Sequence, residues 1–252
     1  LKSKDSKALE NIFGPDSEDL VSSGDPIADE ARREKFVLLY EEKHHLQRKS
    51  GEKVFLYVGK EDWPFPIPIV KRNSLWHFDD QEGREEILAR RIGRNELSAI
   101  QVCLVYVDAQ REYARKDWDA DGFLEYARKF RSEESKNDGL YWETSEGEKE
   151  SPLGPLFATA EEKGYDFKQS DRKPSPYYGY YYKILTAQGE NAPGGAYDYV
   201  VKGKLLGGFA LVAYPAQYGV SGIMTFVVNH KGIVYQKDLG EDTKKTAHAM
   251  RL

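Results

Sequence analysis

The sequence predicts an α+β fold: a small amino-terminal helix-plus-sheet unit over residues 1–92, then, over residues 93–252, a long helix covered by an antiparallel meander. Three observations carry this reading. From Asp80 to Lys116 there is no proline, and Leu97, Ile100, Leu104 and Val107 recur at steps of 3, 4 and 3, the spacing of one helix face. After Tyr178, apolar runs of strand length alternate with connections such as Lys202-Gly203 and Asn229-His230-Lys231-Gly232, which are short enough for hairpins. Composition divides the chain at the same place. Of the 17 tyrosines only Tyr40 and Tyr57 precede Gly93, and 17 of the 22 glycines lie from Gly93 onward, so glycine-bounded aromatic strands belong to the second part.

In order along the chain, Asp5 to Phe13 reads as a helix ended by the breaker pair Gly14-Pro15, and Asp16 to Leu20 leads into the turn Ser22-Ser23-Gly24-Asp25-Pro26. Ile27 to Leu46 carries Ala31, Phe36, Leu39 and Tyr40 at helical spacing, and Gly51 then changes the period. Val54 to Val58, Ile67 to Val70 and Leu75 to Phe78 read as strands. Trp63, Trp76 and Phe78 could line a conical apolar pocket in this unit. The long helix is capped by Asp79-Asp80, and Glu82, Glu85 and Glu86 suit the positive end of its dipole. Gly93 inside it costs about 1 kcal/mol against alanine, which places a junction there with a kink or a close helix contact. Phe123 to Phe130 reads as one further helix, and Ser151-Pro152-Leu153-Gly154-Pro155 as a turn before a short helix over Leu156 to Lys163. Strands are expected at Tyr178 to Leu185, Tyr197 to Val201, Leu205 to Ala213, Ile223 to Asn229 and Ile233 to Lys237.

Several function classes are disfavoured. A mean hydropathy of −0.69 and the lack of any run near the ~20 apolar residues that span a bilayer give no transmembrane segment. A formal net charge of −5 with no Lys/Arg block lacks the concentrated basic face that nucleic acid requires. Cys103 is the single cysteine, so it forms no intramolecular disulfide and no cysteine-based zinc site, and its place in the apolar stripe reads as core. The five histidines show no i, i+4 pair, no Gly-x-Ser-x-Gly occurs, and neither Gly194-Gly195 nor Gly207-Gly208 continues as a phosphate loop. No catalytic residue and no organic cofactor is assigned.

Two motifs carry chemistry. Asp117-Trp118-Asp119-Ala120-Asp121-Gly122 places carboxylates at alternate positions before a glycine, as calcium loops do; Asp117, Asp119, Asp121 and Glu125 are the candidate ligands. Position twelve of such a loop is Arg128, not a bidentate glutamate, and an acidic turn capping backbone amides is the other reading. The run Tyr177-Tyr178-Gly179-Tyr180-Tyr181-Tyr182 on a strand puts Tyr178, Tyr180 and Tyr182 on one face and Tyr177 and Tyr181 on the other. A displayed row would form a ligand or partner surface; the alternative is that one row packs on the helix.

Further segments carry a resemblance: Ile92-Gly93-Arg94-Asn95-Glu96-Leu97, Tyr106 to Tyr113, Asp138-Gly139-Leu140-Tyr141-Trp142, Ser151 to Pro155, Leu185-Thr186-Ala187-Gln188-Gly189 and Gly207-Gly208-Phe209-Ala210-Leu211. With them the chain, from about Gly14 to its end, resembles an uncharacterised family of exported bacterial proteins, domain of unknown function 2950. That resemblance implies an extracytoplasmic protein, periplasmic or secreted, whose signal peptide has been removed before Leu1; it implies no activity. The second half is also similar to the heads of type IV pilin-like and pseudopilin proteins, which lay a sheet over a long helix. The expectation is a non-enzymatic exported module that binds a protein, envelope polymer or small ligand, with calcium as its one candidate metal. The alternative is a hydrolase of envelope carbohydrate or peptide using acidic-loop carboxylates as acid and base.

Overall fold

A computed structural model describes residues 6–14, 16–134, 136–145, 147–165 and 175–250; Asp5, Pro15 and the chain ends invoked above lie outside them. The fold is α+β. Helices α1 (Ser6–Phe13), α2 (Glu18–Val21) and α3 (Pro26–Glu42) open the chain. Asp25 caps α3 by accepting from the Ala28 amide at 3.1 Å, and Pro26, which has no amide hydrogen to orphan, takes the first helical position.

The helix expected to continue through Leu46 stops at Glu42, and His44–Ser50 is strand β1. No residue of this segment is buried, so no apolar face holds it as a helix. Its backbone instead pairs with β2 (Lys53–Val58), from His44↔Val58 to Arg48↔Val54, across a Gly51 turn. Strands β3 (Trp63–Pro64), β4 (Ile69–Arg72) and β5 (Leu75–Phe78) complete an antiparallel sheet of order β1-β2-β4-β5 with β3 on β2. Val54, Leu56 and Val58 alternate inward from β2, and Phe13, Phe36, Phe65 and Phe78 form an aromatic cluster with centroids 5.2–6.5 Å apart.

Helix α4 (Asp80–Tyr113) runs 34 residues and passes through the expected 92/93 boundary without a break. Its buried face differs from the predicted stripe. Leu97 is 67% exposed and Leu104 36%, while Asn95, Ala99, Val102, Cys103, Tyr106, Gln110 and Tyr113 face inward, with Val107 beside them. The interior takes tyrosines and amides here because it satisfies their polar atoms, which an apolarity count does not foresee. Gln110 clamps the backbone of Ala127, donating to its carbonyl at 2.7 Å and accepting from its amide at 2.8 Å, and donates to the Tyr106 hydroxyl at 3.0 Å. That clamp also explains why residues 123–130 form no helix: Tyr126 bridges to Leu205 instead, its amide donating to Leu205 O. Gly93 meets nothing within 4 Å, whereas at Gly83 a Cβ would come within 2.7 Å of Ile67 Cα, so the close approach is at Gly83.

After α5 (Gly154–Glu162) come β6 (Tyr180–Leu185), β7 (Ala187–Gln188), β8 (Tyr197–Asp198), β9 (Val200–Val201), β10 (Lys204–Leu205), β11 (Ala210–Pro215), β12 (Met224–Asn229), β13 (Val234–Asp238) and α6 (Thr243–Ala249). The meander is antiparallel in the order β13-β12-β11-β6, and β7-β8 and β9-β10 are separate two-stranded pairs. The predicted strand over 205–213 splits at Gly207-Gly208, where Gly208 has φ +142°. One face of the meander presents Tyr182, Leu211, Ala213, Phe226 and Val228 to α4; the other presents Lys183, Leu185, Ala210, Val212, Tyr214, Val227 and Tyr235. Helix α6, which has little apolar periodicity, covers part of that second face: His248 Nε2 lies 3.0 Å from the Tyr214 hydroxyl, and Lys183 Nζ donates to the His248 and Met250 carbonyls. No helix among the described residues is long and apolar enough to cross a membrane.

Candidate ligand pocket

The part of the second face that α6 leaves open is roofed by the segment around β7, and a pocket of about 320 Å³ lies between them. Leu185, Ala210, Val227, Asn229 and Tyr235 form its sheet wall, and all five lie on the face turned away from α4. The opposite wall is Ala187, Gln188, Asn191, Ala192 and Pro193. Gln188 holds that loop in shape. Its Nε2 donates to Pro193 O at 3.0 Å and Gly195 O at 2.7 Å, and its Oε1 accepts from the Tyr199 hydroxyl at 3.0 Å. Burial, with Tyr197 beside it, pushes that phenol up to about 12, so it stays a donor. Gly194 and Gly195, both at positive φ, close the loop back toward β8.

The rim comes from the β12–β13 turn. Asn229 Oδ1 accepts from the Lys231 and Ile233 amides at 3.0 and 3.1 Å, and Gly232, at φ +82°, lets the chain reverse. His230 stands here with Nδ1 enclosed and without a hydrogen-bond partner among the described residues. Burial, then Lys231 and Arg111, lower its pKa from the ordinary 6.5, so the ring is neutral at neutral pH and carries one donor and one acceptor nitrogen. Sequence spacing held no signal for this site: its walls come from segments tens of residues apart and use common residue types.

The acidic loop does gather its carboxylates. One oxygen each from Asp117, Asp119 and Asp121 lies within 4.8 Å of the others. Asp117 accepts from the Gly122 amide at 2.8 Å and the Asp121 amide at 3.3 Å, and Asp121 from the Phe123 amide at 3.0 Å, which is the capping turn foreseen as the other reading. Among these acids lies a cation that the spacing did not reveal. Lys204 Nζ is 2.7 Å from Asp119, 2.5 Å from Asp121 and 3.3 Å from Glu125, and hydrogen bonds to Asp119 and Asp121 raise its pKa. Arg128 donates to Gly203 O at 2.7 Å and docks the loop on the β9–β10 hairpin.

The tyrosine run departs from simple alternation. Tyr178 (φ +51°) and Gly179 (φ +73°) are the centre of a tight turn in which the Tyr177 and Tyr180 amides each donate to the other's carbonyl. The strand therefore starts at Tyr180, and Tyr177 and Tyr178 leave its register. Tyr180 is fully buried and Tyr177 nearly so, Tyr182 lies against α4, and Tyr181 packs on Tyr214 beneath Lys244. Tyr178, Tyr181 and Tyr182 are half-buried while Tyr177 and Tyr180 are buried, so none of the five rings is fully displayed. In the amino-terminal unit Trp63 and Trp76 are each 41% exposed, and Phe78 packs against Phe13 and Phe65.

Over residues 1–252 the chain matches a family described as "Protein of unknown function (DUF2950)", and it belongs to that family. No curated protein and no solved structure matches it.

Proposed function

We propose that this family member is a non-enzymatic, extracytoplasmic binding module that holds a small ligand in the pocket between the β7 loop and the meander. The observation that carries this reading is the pocket itself. About 320 Å³ of space sits between two walls fixed by sheet register and by the Gln188 hydrogen bonds, with a mostly apolar lining and a few convergent polar groups, which is the make-up of small-molecule sites. Its lining holds no Asp, Glu, Ser, Thr or Cys, whereas the carboxylates of the acidic loop are engaged by Lys204 and backbone amides. That distribution favours binding over hydrolysis. The extracytoplasmic setting rests on the resemblance to exported proteins, and the pilin-head likeness agrees with a long helix under one face of a four-stranded meander.

A fragment mixture observed by ligand-detected NMR tests the reading. Binding to the parent protein should fall at least about tenfold when Val227→Phe fills the pocket from the sheet wall, and again when Ala192→Trp fills it from the loop wall, in variants whose circular dichroism is unchanged. Fragments that bind both filled variants as well as the parent would sink it.

For the acidic loop we propose that Lys204 supplies the positive charge that calcium would otherwise bring. Lys204→Met should leave three carboxylates facing one another, lower the unfolding midpoint, and create a calcium site at the weak, roughly 10⁻⁴–10⁻³ M end of oxygen-ligand sites. Scanning calorimetry with millimolar calcium should raise the variant's midpoint and leave the parent's unmoved. A parent that shifts as much as the variant would mean that the metal displaces the ammonium, and the proposal would fail.

A further inference from the structure

We infer that the pocket's ligand is a small organic anion: a carboxylate-class head at the Lys231 rim on an aliphatic or aromatic body lying against Leu185, Ala210 and Val227. This rests on the binding reading above and gives it a ligand class.

Among the pocket's lining residues the charge is one-sided. Lys231 is the one charged side chain in its lining, is exposed, and has no ion-pair partner among the described residues. Behind the same turn Arg111 donates from Nη2 to His230 O at 3.3 Å, while its one ion pair among the described residues is a 3.7 Å approach to Asp108, a side chain 82% exposed. Glu190, inside the roof loop, and Asp198, beside Tyr199, contribute nothing to the wall. An anion at the rim would therefore meet an unpaired ammonium, and a cation would be repelled by it.

The Gln188 side-chain amide in the roof is already committed. Gln188 uses its amide on Pro193, Gly195 and Tyr199, so the interior leaves the body of a ligand mainly apolar surface. Recognition of a polar head then falls to the β12–β13 turn. There Asn229 is bound through its oxygen to two backbone amides, and His230 is a neutral ring with one enclosed nitrogen. A head that can accept hydrogen bonds and carries negative charge fits this rim; an ammonium head does not.

The test uses three probes that share one body: 4-phenylbutanoate, 4-phenylbutan-1-ol and 4-phenylbutylamine, titrated by NMR into the full chain. The parent should bind the carboxylate about fivefold more tightly than the alcohol, with the amine weakest, and the gap should narrow as salt rises. Lys231→Gln should remove the preference, and Lys231→Glu should reverse it; Lys231 is exposed, so neither change endangers the fold. If the three probes bind equally and Val227→Phe abolishes all of them, the charge inference is overturned and the pocket reading stands. If no probe binds the parent, both fall together.

Discussion

Replacing Asp25 by alanine is expected to cost about 3–5 kcal/mol and, for a chain of this size, to lower the unfolding midpoint by roughly 10 °C. Asp25 is 1% exposed and serves three donors: its Oδ1 accepts from the Ala28 amide at 3.1 Å, and its Oδ2 from the Tyr165 hydroxyl at 2.9 Å and the Gly179 amide at 2.8 Å. One carboxylate thus caps α3, anchors the segment after α5, and fixes the turn that starts β6. Truncation would remove a helix cap and leave a buried amide and a buried hydroxyl without an acceptor, each costing about 1–3 kcal/mol. Burial, with Asp25 beside it, pushes the Tyr165 phenol well above its ordinary range, so that hydroxyl remains a donor at any pH the fold survives. Asp25→Asn should fall between parent and alanine, since its single oxygen can serve one side of the site while its amide meets donors on the other. Tyr165→Phe should cost only about 1 kcal/mol, because it removes the donor rather than the acceptor. Urea titrations of the three variants give this ranking directly; an alanine variant within about 0.5 kcal/mol of the parent would mean that the network adds nothing, which its burial argues against.

The ties around Asp25 also show which features could be read from the sequence. Hairpin connections, the glycine-rich second half and the proline-free helix were legible because each is written in one contiguous stretch of sequence. The acidic loop was legible for the same reason, and its three aspartates do converge. Lys204, which sits among them, was invisible because it arrives from the β9–β10 pair. The first three residues of β1, His44 to Leu46, continue the helical reading because pairing with β2, not their own pattern, decides their state. Most instructive is the buried face of α4. Leucines at helical spacing pointed outward, and the chain buried Asn95, Tyr106 and Gln110 instead. Asn95 accepts from Arg32 at 3.0 Å and donates to Ser221 O at 2.8 Å, joining α3, α4 and the β11–β12 connection in one chain of hydrogen bonds. Hydropathy alone cannot rank such residues as interior, because their burial depends on partners contributed by distant segments.

Two glycines of one helix should respond to alanine with opposite signs. In an exposed helix interior Gly→Ala gains about 0.8–1 kcal/mol, since alanine loses less backbone freedom on folding. Gly93, around which an added Cβ would meet nothing within 4 Å, should show close to that gain. Gly83 lies in the same helix under the same local rule, but its added Cβ would come 2.7 Å from Ile67 Cα and 2.9 Å from Ile67 N. Ile67 is fully buried and stands between Pro66 and Pro68, and the Pro68 carbonyl accepts from the Asp79 amide at 2.8 Å just before α4 begins. Neither backbone can move without disturbing that contact, and a neighbouring ion pair, Lys53 with Glu82, ties the same turn of α4 to the sheet. The helix must lift from the sheet, and overpacking of this kind costs about 1–3 kcal/mol, more than the propensity gain returns. Thermal unfolding of Gly83→Ala, Gly93→Ala and the double variant would show one midpoint falling, one rising, and near-additivity for sites this far apart along α4. Equal gains at both positions would mean that α4 does not press on Ile67, and with it would go the account of how the helix is seated under the amino-terminal sheet.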